Sequence, residues 1–281
     1  MKNIAVIITV FNRREKTINC LKQLSSIDKR GINMVVYLTD DGSSDGTYDA
    51  VRIQFPDVII SKGNASLYWC GGMNLSWEKA VKAKKYDGYL WLNDDTYIKD
   101  CLFQELSDAD NYCIEKYGKR GIYVGSTTDS TESSITYGGS VILSKLSNKM
   151  RKVIPNGEFQ ECHIANGNIL FVAKEVVDEI GCLYHKYVHG ADYDYTYWAH
   201  TKGFPLLVLR KYVGICDNDH KSVKERLMQS NLYNRIKYLY SPTGLQLKTA
   251  ILFQKRFFPY RVPYVFVTYW LKTLFPFLIK S

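Results

Sequence analysis

The sequence predicts an α/β fold whose amino-terminal half is a Rossmann-like unit. Three observations predict it: apolar, β-branched runs alternate with segments of helical periodicity, these runs end in polar loops, and the fourth run stops at two adjacent carboxylates. Strands that alternate with helices form a parallel sheet through right-handed crossovers. A chain of 281 residues is long enough for one large domain, or for one domain with an added tail.

The first strands and helices follow the β-α-β order. Residues 4–10 are a continuous apolar run, typical of a strand that is buried on both faces of a parallel sheet. A segment of helical periodicity follows and ends at Gly31, and residues 34–38 give the second strand. We predict a third strand at 58–60 and, after a long loop, a helix at about 75–86.

The fourth apolar run, within residues 90–96, ends at Asp94 and Asp95. The carboxyl ends of strands in an open α/β sheet form the crevice where ligands bind, so these acids are expected to face a ligand. Two adjacent like charges repel, and a divalent cation or a polyhydroxyl ligand takes up their oxygens. A solvated turn is the alternative for this stretch.

Two further polar loops precede this strand, at residues 39–47 and 62–74. Both contain glycines that allow tight turns, and Ser44 or Asp45 in the first loop can cap the following helix. Neither the G-x-G-x-x-G nor the G-x-x-x-x-G-K-[ST] pattern occurs in the chain. Dinucleotide binding and ordinary P-loop chemistry are therefore not expected.

Beyond Asp100 the pattern is that of a mixed sheet. Polar segments at 126–139 and 145–158 are long enough to be functional loops. The predicted strands lie at 121–124, 140–143, 169–172, 206–209 and 212–216. The predicted helices run from after Asp100 through about Lys116, over 174–180, and from Asp192 to near Gly203.

The pattern of cysteines and the distribution of charge exclude several classes of protein. The seven cysteines are scattered without a C-x-x-C pair, which argues against a zinc site or a disulfide framework and favours a reducing compartment. The amino terminus lacks a signal-peptide pattern, so we expect a cytoplasmic protein.

The formal net charge of +9 comes mainly from residues after Arg210. No nucleic-acid-binding signature accompanies it, so nucleic acid is not an expected partner.

Residues 257–280 combine aromatic and aliphatic side chains with Lys and Arg. Lys272 interrupts the stretch and Pro263 and Pro276 bend it, which leaves fewer than the roughly 20 clean residues that a membrane span needs. Aromatic residues mixed with basic ones suit a membrane interface. Packing against the preceding domain or a homodimer contact is the alternative for this tail.

Four motifs occur in order, at residues 6–13, 40–47, 92–96 and 190–194: V-I-I-T-V-F-N-R, D-D-G-S-S-D-G-T, L-N-D-D-T and G-A-D-Y-D. Together they resemble the family 2 glycosyltransferases of GT-A fold, and L-N-D-D-T resembles the rhamnosyltransferase-like bacterial members. The resemblance implies a GT-A domain at 1–220, in which a Rossmann-like nucleotide half (1–100) is fused to a mixed-sheet acceptor half (101–220). Residues 221–281 then form a helical, basic, amphipathic extension.

The resemblance implies that the ends of the first two strands and the loop after the third hold a nucleotide-sugar donor. A carboxylate that accepts an N–H from a pyrimidine edge makes a charge-assisted hydrogen bond. Helix capping is the alternative role for Asp40 and Asp41. The implied donor-binding residues are Thr9, Phe11, Asn12, Arg13, Asp40, Asp41, Asn64, Gly71, Gly72, Asn93 and Asp94.

The resemblance also implies a divalent metal cofactor, Mn²⁺ or Mg²⁺. Asp95 stands at the final acid of the family's D-x-D motif, and His220 follows a late strand where many relatives place a His near the metal or the diphosphate, so the resemblance implies both as metal ligands. The cation would neutralise the charge that grows as the diphosphate leaves. Asn93 stands where the family has its first Asp, so we expect a weaker metal requirement.

Asp192 matches the family's general base, which implies an inverting transfer. Such a transfer needs one carboxylate within hydrogen-bond reach of the acceptor hydroxyl. Ala191 stands where many relatives carry Glu. The residues implied to contact the acceptor are Trp69, Asn168 and Asp194; a packed loop is the alternative for Trp69, and a solvated acid that favours the helix dipole is the alternative for Asp194.

The expected activity is transfer of a hexose from dTDP-rhamnose or a UDP-hexose to a growing surface glycan or lipid-linked acceptor. The tail would then bring the enzyme to the inner face of the membrane. A sugar nucleotidyltransferase is a rival, but it normally has a Gly-rich basic loop after its first strand, where this chain has Val10-Phe11-Asn12-Arg13-Arg14. A non-catalytic nucleotide-sugar or carbohydrate binding protein is the second rival.

Overall fold

The computed structural model describes residues 1–83, 85–218 and 223–279. The chain divides into two compact units. Unit 1 contains Met1–Leu143 and Lys149–Asp217, and unit 2 contains Ser144–Asn148 and Asn218–Ser281.

The amino-terminal half of unit 1 is a parallel α/β arrangement. Strand β1 pairs in parallel with β2 and β4, and β2 pairs in parallel with β3, which confirms the predicted β-α-β organisation. Its elements are β1 (Asn3–Val10), α1 (Arg14–Ser26), β2 (Asn33–Asp40), α2 (Thr47–Gln54), β3 (Ile59–Lys62), α3 (Tyr68–Ala83) and β4 (Gly88–Leu92).

The rest of unit 1 extends this sheet with strands of both directions. Its elements are β5 (Tyr97–Ile98), α4 (Leu102–Tyr117), β6 (Ile122–Thr128), β7 (Gly139–Ser144), β8 (Lys149–Lys152), β9 (Gln160–Glu161), β10 (Ile164–Ala165), β11 (Ile169–Ala173), α5 (Lys174–Ile180), α6 (Ala191–Thr201) and β12 (Leu206–Ile215). Among the described residues, the main sheet has nine strands in the order β3-β2-β1-β4-β11-β6-β12-β5, with β9 beside β12. A smaller sheet has the order β10-β7-β8.

The core of unit 1 lies around the central strands. Residues 4–8 of β1 and all of β11 are fully buried, as expected for apolar strands covered on both faces. Three large aromatic rings, one each from α3, β4 and α6, pack together. The ring centroid of Trp77 lies 5.0 Å from that of Trp91 and 5.3 Å from that of Tyr195, and the centroids of Trp91 and Tyr195 are 5.3 Å apart. Two of these contacts are edge-on and the third is tilted, and together they pack α6 against α3 and β4.

Helix α3 begins at Tyr68, whereas the sequence predicted a loop as far as Asn74. The paired glycines suggested the loop, but Gly72 has a packing role in a helix. A Cβ atom at Gly72 would lie 1.9 Å from Thr9 Oγ1, so only glycine lets α3 approach β1 this closely. The predicted loop at 145–158 is also partly wrong, because β8 forms a strand of exposed basic residues that pairs with β7.

The two late strands predicted at 206–209 and 212–216 are one strand, β12, with register shifts between Val208 and Gly214. The charged residues Arg210 and Lys211 lie between the two predicted strands. Arg210 remains in the strand because its guanidinium is paired: Nη2 lies 2.9 Å from Glu105 Oε1 and also contacts Asp108. A paired charge can occupy a half-buried strand position that an unpaired charge would avoid.

Unit 2 is helical in its described part, as the tail was predicted to be. Its elements are α7 (Val223–Met228), α8 (Leu232–Tyr240), α9 (Leu247–Phe257), a 3-10 turn (Pro259–Arg261), α10 (Val262–Leu274) and a second 3-10 turn (Pro276–Leu278). Pro263 lies in the first turn of α10, where its missing N–H costs little, so it starts this helix and does not bend it. Within the described ranges, every helix is too short or too polar to cross a membrane.

Candidate functional site

The candidate site lies where the parallel strands β1, β2 and β4 end. Val10 and Asp40, the last residues of β1 and β2, are paired in register, and Asn93 follows the last residue of β4. The carboxyl ends of three neighbouring strands therefore deliver their loops to the same edge of the sheet, as in other open α/β sheets.

The loops after β1 and β2 are held together by short side chains. Asn12 adopts a left-handed conformation (φ 51°), and its Oδ1 accepts a hydrogen bond from Ser44 N at 2.8 Å. Asp45 accepts one from Arg14 N, at the start of α1, and another from Thr47 N, at the start of α2, both at 3.0 Å. Hydrogen bonds, the strongest from the Thr47 hydroxyl, lower the pKa of Asp45. One carboxylate thus caps two helices.

Asp40 and Asp41 are both buried at the end of β2. Asp40 Oδ1 accepts a hydrogen bond from Ser43 N at 2.8 Å, and Asp41 Oδ2 accepts two from backbone N–H groups at the start of α3, at 2.9 and 3.0 Å. The second oxygen of each carboxylate is buried without a hydrogen-bond partner in the described parts of the chain. Buried polar atoms are normally paired, so each of these carboxylates keeps one acceptor oxygen unused within the described residues.

Asp94 and Asp95 share one guanidinium. Arg13 Nη1 lies 2.7 Å from Asp95 Oδ2 and 3.2 Å from Asp94 Oδ1. Asp94 is buried and also accepts a hydrogen bond from the Thr17 hydroxyl at 2.8 Å, whereas the side chain of Asp95 is 23% exposed. Burial raises the pKa of Asp94 and outweighs the opposing effect of Arg13. Asp94 is therefore mainly a structural partner of α1, and Asp95 is the more accessible acid.

The oxygen donors at this edge fit a hard divalent cation in part. Asp95 Oδ1 has only a weak contact with the Cys216 thiol, at 3.9 Å. The described residues hold no cluster of three or more His, Cys, Asp or Glu side chains, and His220 lies outside them. Since Mn²⁺ and Mg²⁺ prefer six oxygen ligands, Asp95 supplies at most part of the shell, and a ligand's phosphate oxygens and water would supply the rest.

Asp192 lies in the first turn of α6, after Gly190, whose φ of +71° is left-handed. Its Oδ2 accepts a hydrogen bond from Gly167 N at 3.0 Å, and its Oδ1 accepts one from Tyr193 N at 2.9 Å. Burial raises the pKa of Asp192 to about 6, and the backbone hydrogen bonds oppose that shift. A carboxyl group with this pKa is suited to accept a proton near neutral pH.

Residues 167–168 connect the two groups of acids. Asn168 O accepts a hydrogen bond from Asn93 N at 3.0 Å, while the preceding residue, Gly167, binds Asp192. Asn93 Oδ1 accepts a hydrogen bond from Trp69 Nε1 at 2.9 Å. A Cβ atom at Gly167 would lie 2.9 Å from the Trp69 ring. The loop after β4 and the start of α6 are thereby held on one short segment.

Other predicted site residues have local roles in the fold. Asn64 is exposed and its Oδ1 accepts hydrogen bonds from Ser66. Asn168 is buried and its Nδ2 contacts the Cys216 thiol at 3.7 Å. Phe11 is 48% exposed at the end of β1. Thr9 and Gly72 pack against each other, and Gly71 lies beside Gly72 in α3.

Asp194 is not a solvated acid, contrary to the alternative raised from its sequence position. Its side chain is buried, and Oδ1 accepts a hydrogen bond from the Tyr187 hydroxyl at 2.8 Å. Asp192 and Asp194 are two residues apart on a helix and so point in different directions. Only the fold shows that Asp192, and not Asp194, binds Gly167 in the segment that also contacts the loop after β4.

Sequence reasoning missed three residues that position the site. Thr17 binds Asp94 from α1, and its place one helical turn after Arg13 is the signal that could have identified it. Gly63 leaves room for Asp41, because a Cβ atom there would lie 2.5 Å from Asp41 Oδ1. Cys216 carries no sequence signal of its contact with Asp95, since their pairing depends on the sheet.

The strand order, the crossovers and the acids at this edge define a GT-A-like glycosyltransferase fold. No protein-family model matches the chain, and no curated protein matches its sequence. Solved glycosyltransferase structures do match its fold, as the following two examples show.

The mannosyltransferase PcManGT from Pyrobaculum calidifontis, in complex with GDP-Man and Mn²⁺, superposes with a TM-score of 0.55. The match covers 94% of this chain and 73% of that chain at 15% identity. TarS 1-349 from S. aureus, in complex with UDP-GlcNAc, gives a TM-score of 0.54 over 92% of this chain and 73% of that chain at 13% identity. Likeness at this level of identity establishes the fold.

Proposed function

We propose that the protein is an inverting glycosyltransferase that uses a nucleotide-sugar donor. One observation carries the proposal: Asp192, whose pKa is raised to about 6, is bonded to the same two-residue segment that binds the loop carrying Asp94 and Asp95. The proposed proton acceptor and the proposed diphosphate-binding end of β4 are thus held in a fixed relative position. Glycosyl transfer to a hydroxyl requires such a fixed geometry.

In the proposed reaction, Asp192 takes the proton of the acceptor hydroxyl as the acceptor oxygen bonds to the anomeric carbon. The bond from that carbon to the diphosphate oxygen breaks, and the nucleoside diphosphate leaves with the electron pair. Arg13 holds Asp94 and Asp95 in place beside the departing group. A bound divalent cation would supply charge neutralisation for the diphosphate, with Asp95 as its protein ligand.

The buried oxygens of Asp40 and Asp41 that lack partners in the described residues support a donor-binding role for the end of β2. We propose that they accept N–H or O–H groups of the nucleoside. The donor is dTDP-rhamnose or a UDP-hexose in this proposal. The L-N-D-D-T motif at residues 92–96, which resembles that of rhamnosyltransferase-like enzymes, favours dTDP-rhamnose. Binding of a GDP-sugar, the class seen with PcManGT, is the outcome that would revise the choice of nucleotide.

A thermal-shift panel tests the proposed donor. UDP-, dTDP- and GDP-sugars are added to the full chain with and without Mn²⁺, and a donor at 100 times its Kd should stabilise the protein by about 2.7 kcal/mol. Formation of the nucleoside diphosphate is measured in parallel with a glycan or lipid-linked acceptor. If no nucleotide sugar raises Tm and none is consumed, the proposal is wrong; binding without turnover on any acceptor or water would favour a non-catalytic binding protein.

We further propose that unit 2 places the enzyme on the cytoplasmic face of a membrane, close to a lipid-linked acceptor. Helix α10 exposes Phe266, Val267 and Leu271, and its chain neighbourhood is basic. Apolar side chains next to Lys and Arg suit an anionic lipid interface.

Co-sedimentation with anionic vesicles tests this placement. Substitution of Phe266→Ser and Leu271→Ser should release the protein from vesicles, whereas Tyr97→Ser, at a more exposed aromatic position in unit 1, should not. Equal binding by the two variants would contradict the membrane role. A concentration-dependent dimer that the first variant dissociates would assign this face to a second copy of the chain.

A further inference from the structure

Unit 2 contains a polar cavity of about 230 Å³ between α9 and α10. Its lining includes Asn148, Gln254, Arg261, Thr268 and Lys272. The cavity is smaller than the roughly 300–1,000 Å³ pockets that hold drug-sized ligands, but it has room for several water molecules at about 30 Å³ each. Its size suits a small polar group.

The cavity wall contains buried polar atoms without partners. Arg261 and Gln254 are each only 5% exposed. Nε and Nη1 of Arg261, Oε1 of Gln254 and Oδ1 of Asn148 make no hydrogen bond to any described residue. A guanidinium is always charged, and burying it without a counter-charge or hydrogen bonds is costly. The two unpaired donors of Arg261 therefore favour an anion, whereas the two amide oxygens, as they stand, would accept a hydrogen bond from a donor.

Aromatic rings and a backbone contact hold the cations in position. Arg261 lies over the Tyr264 ring, with Cζ 5.9 Å from the centroid, and Lys272 lies over the Tyr269 ring, with Nζ 5.6 Å from the centroid. The Tyr260 hydroxyl donates a hydrogen bond to Lys145 O at 3.0 Å, which fixes the turn that carries Asn148. The wall of the cavity is thus built in advance of any ligand.

The chain around the cavity is also positively charged. Residues 218–281 contain 11 basic residues (Lys and Arg) but only two acidic ones (Asp and Glu), while residues 1–217 contain 26 basic and 26 acidic residues. The whole formal net charge of +9 therefore belongs to the last 64 residues. A positive potential of this kind attracts anions to the cavity, and none of the described residues that line it carries a carboxylate.

We propose that this cavity binds a phosphate group, supplied either as free phosphate or as the phosphate of a lipid headgroup. The planar fork of Arg261 matches two phosphate oxygens, and Lys272 adds a second positive charge. Two cations without an acid suit a phosphate monoester, which carries about −1.5 to −2 charges at pH 7. The amide groups of Gln254 and Asn148 can rotate to donate their N–H groups. The site uses none of the residues of unit 1 and does not rest on the proposed glycosyl transfer.

Phosphate titration of the full chain, followed by calorimetry and by thermal unfolding, tests the site. Inorganic phosphate should raise Tm of the wild-type protein, and Arg261→Met should weaken phosphate binding at least tenfold. Without phosphate, Arg261→Met should raise Tm, because it removes an uncompensated buried charge. A fall in Tm that is the same with and without phosphate would show that Arg261 has only a packing role, and the proposal would fail.

A matched pair of lysine variants keeps the test valid if Arg261→Met does not fold. Lys272→Gln and Lys255→Gln both remove one exposed charge from unit 2, but only Lys272 lines the cavity. We expect Lys272→Gln to weaken phosphate binding about threefold to tenfold and Lys255→Gln to leave it unchanged. Equal effects of the two variants would overturn the proposal, since they would show a response to net charge alone.

Vesicle binding separates the two sources of phosphate. Vesicles containing phosphatidic acid are compared with phosphatidylglycerol vesicles of equal surface charge. Preference for phosphatidic acid that Lys272→Gln removes would assign the site to a lipid headgroup. Equal binding to both vesicles, together with free-phosphate binding that Lys272→Gln weakens, would assign it to soluble phosphate. If neither phosphate form depends on Arg261 or Lys272, the cavity is not a phosphate site.

Discussion

The guanidinium of Arg13 lies 2.7 Å from Oδ2 of Asp95, the more accessible acid at the end of β4. The same nitrogen contacts Asp94, so one cation holds both carboxylates in a fixed arrangement. A divalent metal on Asp95 would therefore act in the field of a positive charge that is already present. This relationship gives a physical reason for a weak metal requirement, in addition to the Asn at position 93.

The first prediction follows from this ion pair. Arg13→Gln should raise the affinity of the nucleotide-free protein for Mn²⁺ about fivefold, because it removes a competing charge, and a unit charge is worth about 1 kcal/mol at about 4 Å in a solvated site. Arg14→Gln removes the same charge from the next residue and should have little effect. Mn²⁺ binding is measured by electron paramagnetic resonance. Unchanged affinity in Arg13→Gln would mean that Arg13 and the metal do not share Asp95.

The second prediction concerns Asp192, the proposed proton acceptor. In that role Asp192 must be ionised to act, and burial raises its pKa to about 6. We therefore expect kcat/KM for transfer to fall tenfold per pH unit below about pH 6 and to level off above it. Asp192→Asn should reduce transfer by about 10²–10⁴-fold while nucleotide binding survives. A flat pH profile, or transfer near the wild-type rate in Asp192→Asn, would remove Asp192 from this role.

The third prediction tests the close approach of α3 to β1. Gly72→Ala should lower the free energy of unfolding by about 1–3 kcal/mol, because the added Cβ atom would lie 1.9 Å from Thr9 Oγ1. Gly71→Ala is the matched control: its Cβ atom would lie 3.1 Å from Leu67 Cβ, a contact that a small shift relieves. Thermal unfolding compares the two. Equal changes in Tm would show that the Thr9 contact does not limit the packing.

The fourth prediction tests why β12 continues through Arg210. Glu105 is 1% exposed, and Arg210 is its ionic partner. Arg210→Met should cost about 3–5 kcal/mol, because it leaves a buried carboxylate without a counter-charge. Lys211→Gln, at the next position, should change stability by less than about 0.5 kcal/mol. Chemical denaturation measures both, and a small effect of Arg210→Met would mean that Glu105 becomes solvated when its partner is removed.

The local pattern of the sequence was sufficient for the order of elements in the amino-terminal half. Continuous apolar runs identify β1 and β4 because strands covered on both faces must be apolar throughout. The acids after β4 and the turn residues after β2 also mark where these strands end. Glycine was less informative: the pair Gly71-Gly72 is typical of a loop, and its packing against Thr9 depends on a neighbouring strand.

What the sequence by itself determined is the α/β class, the parallel strands and the presence of acids at their carboxyl ends, since these follow from periodicity and from which residues end each run. Only the tertiary structure decided which acids are paired, buried or accessible. Asp94 binds Thr17, Asp194 binds Tyr187, and Asp192 binds Gly167. These pairings join residues brought together by the sheet, and burial, which sets the pKa of Asp192, is a property of the packed chain and not of its local pattern.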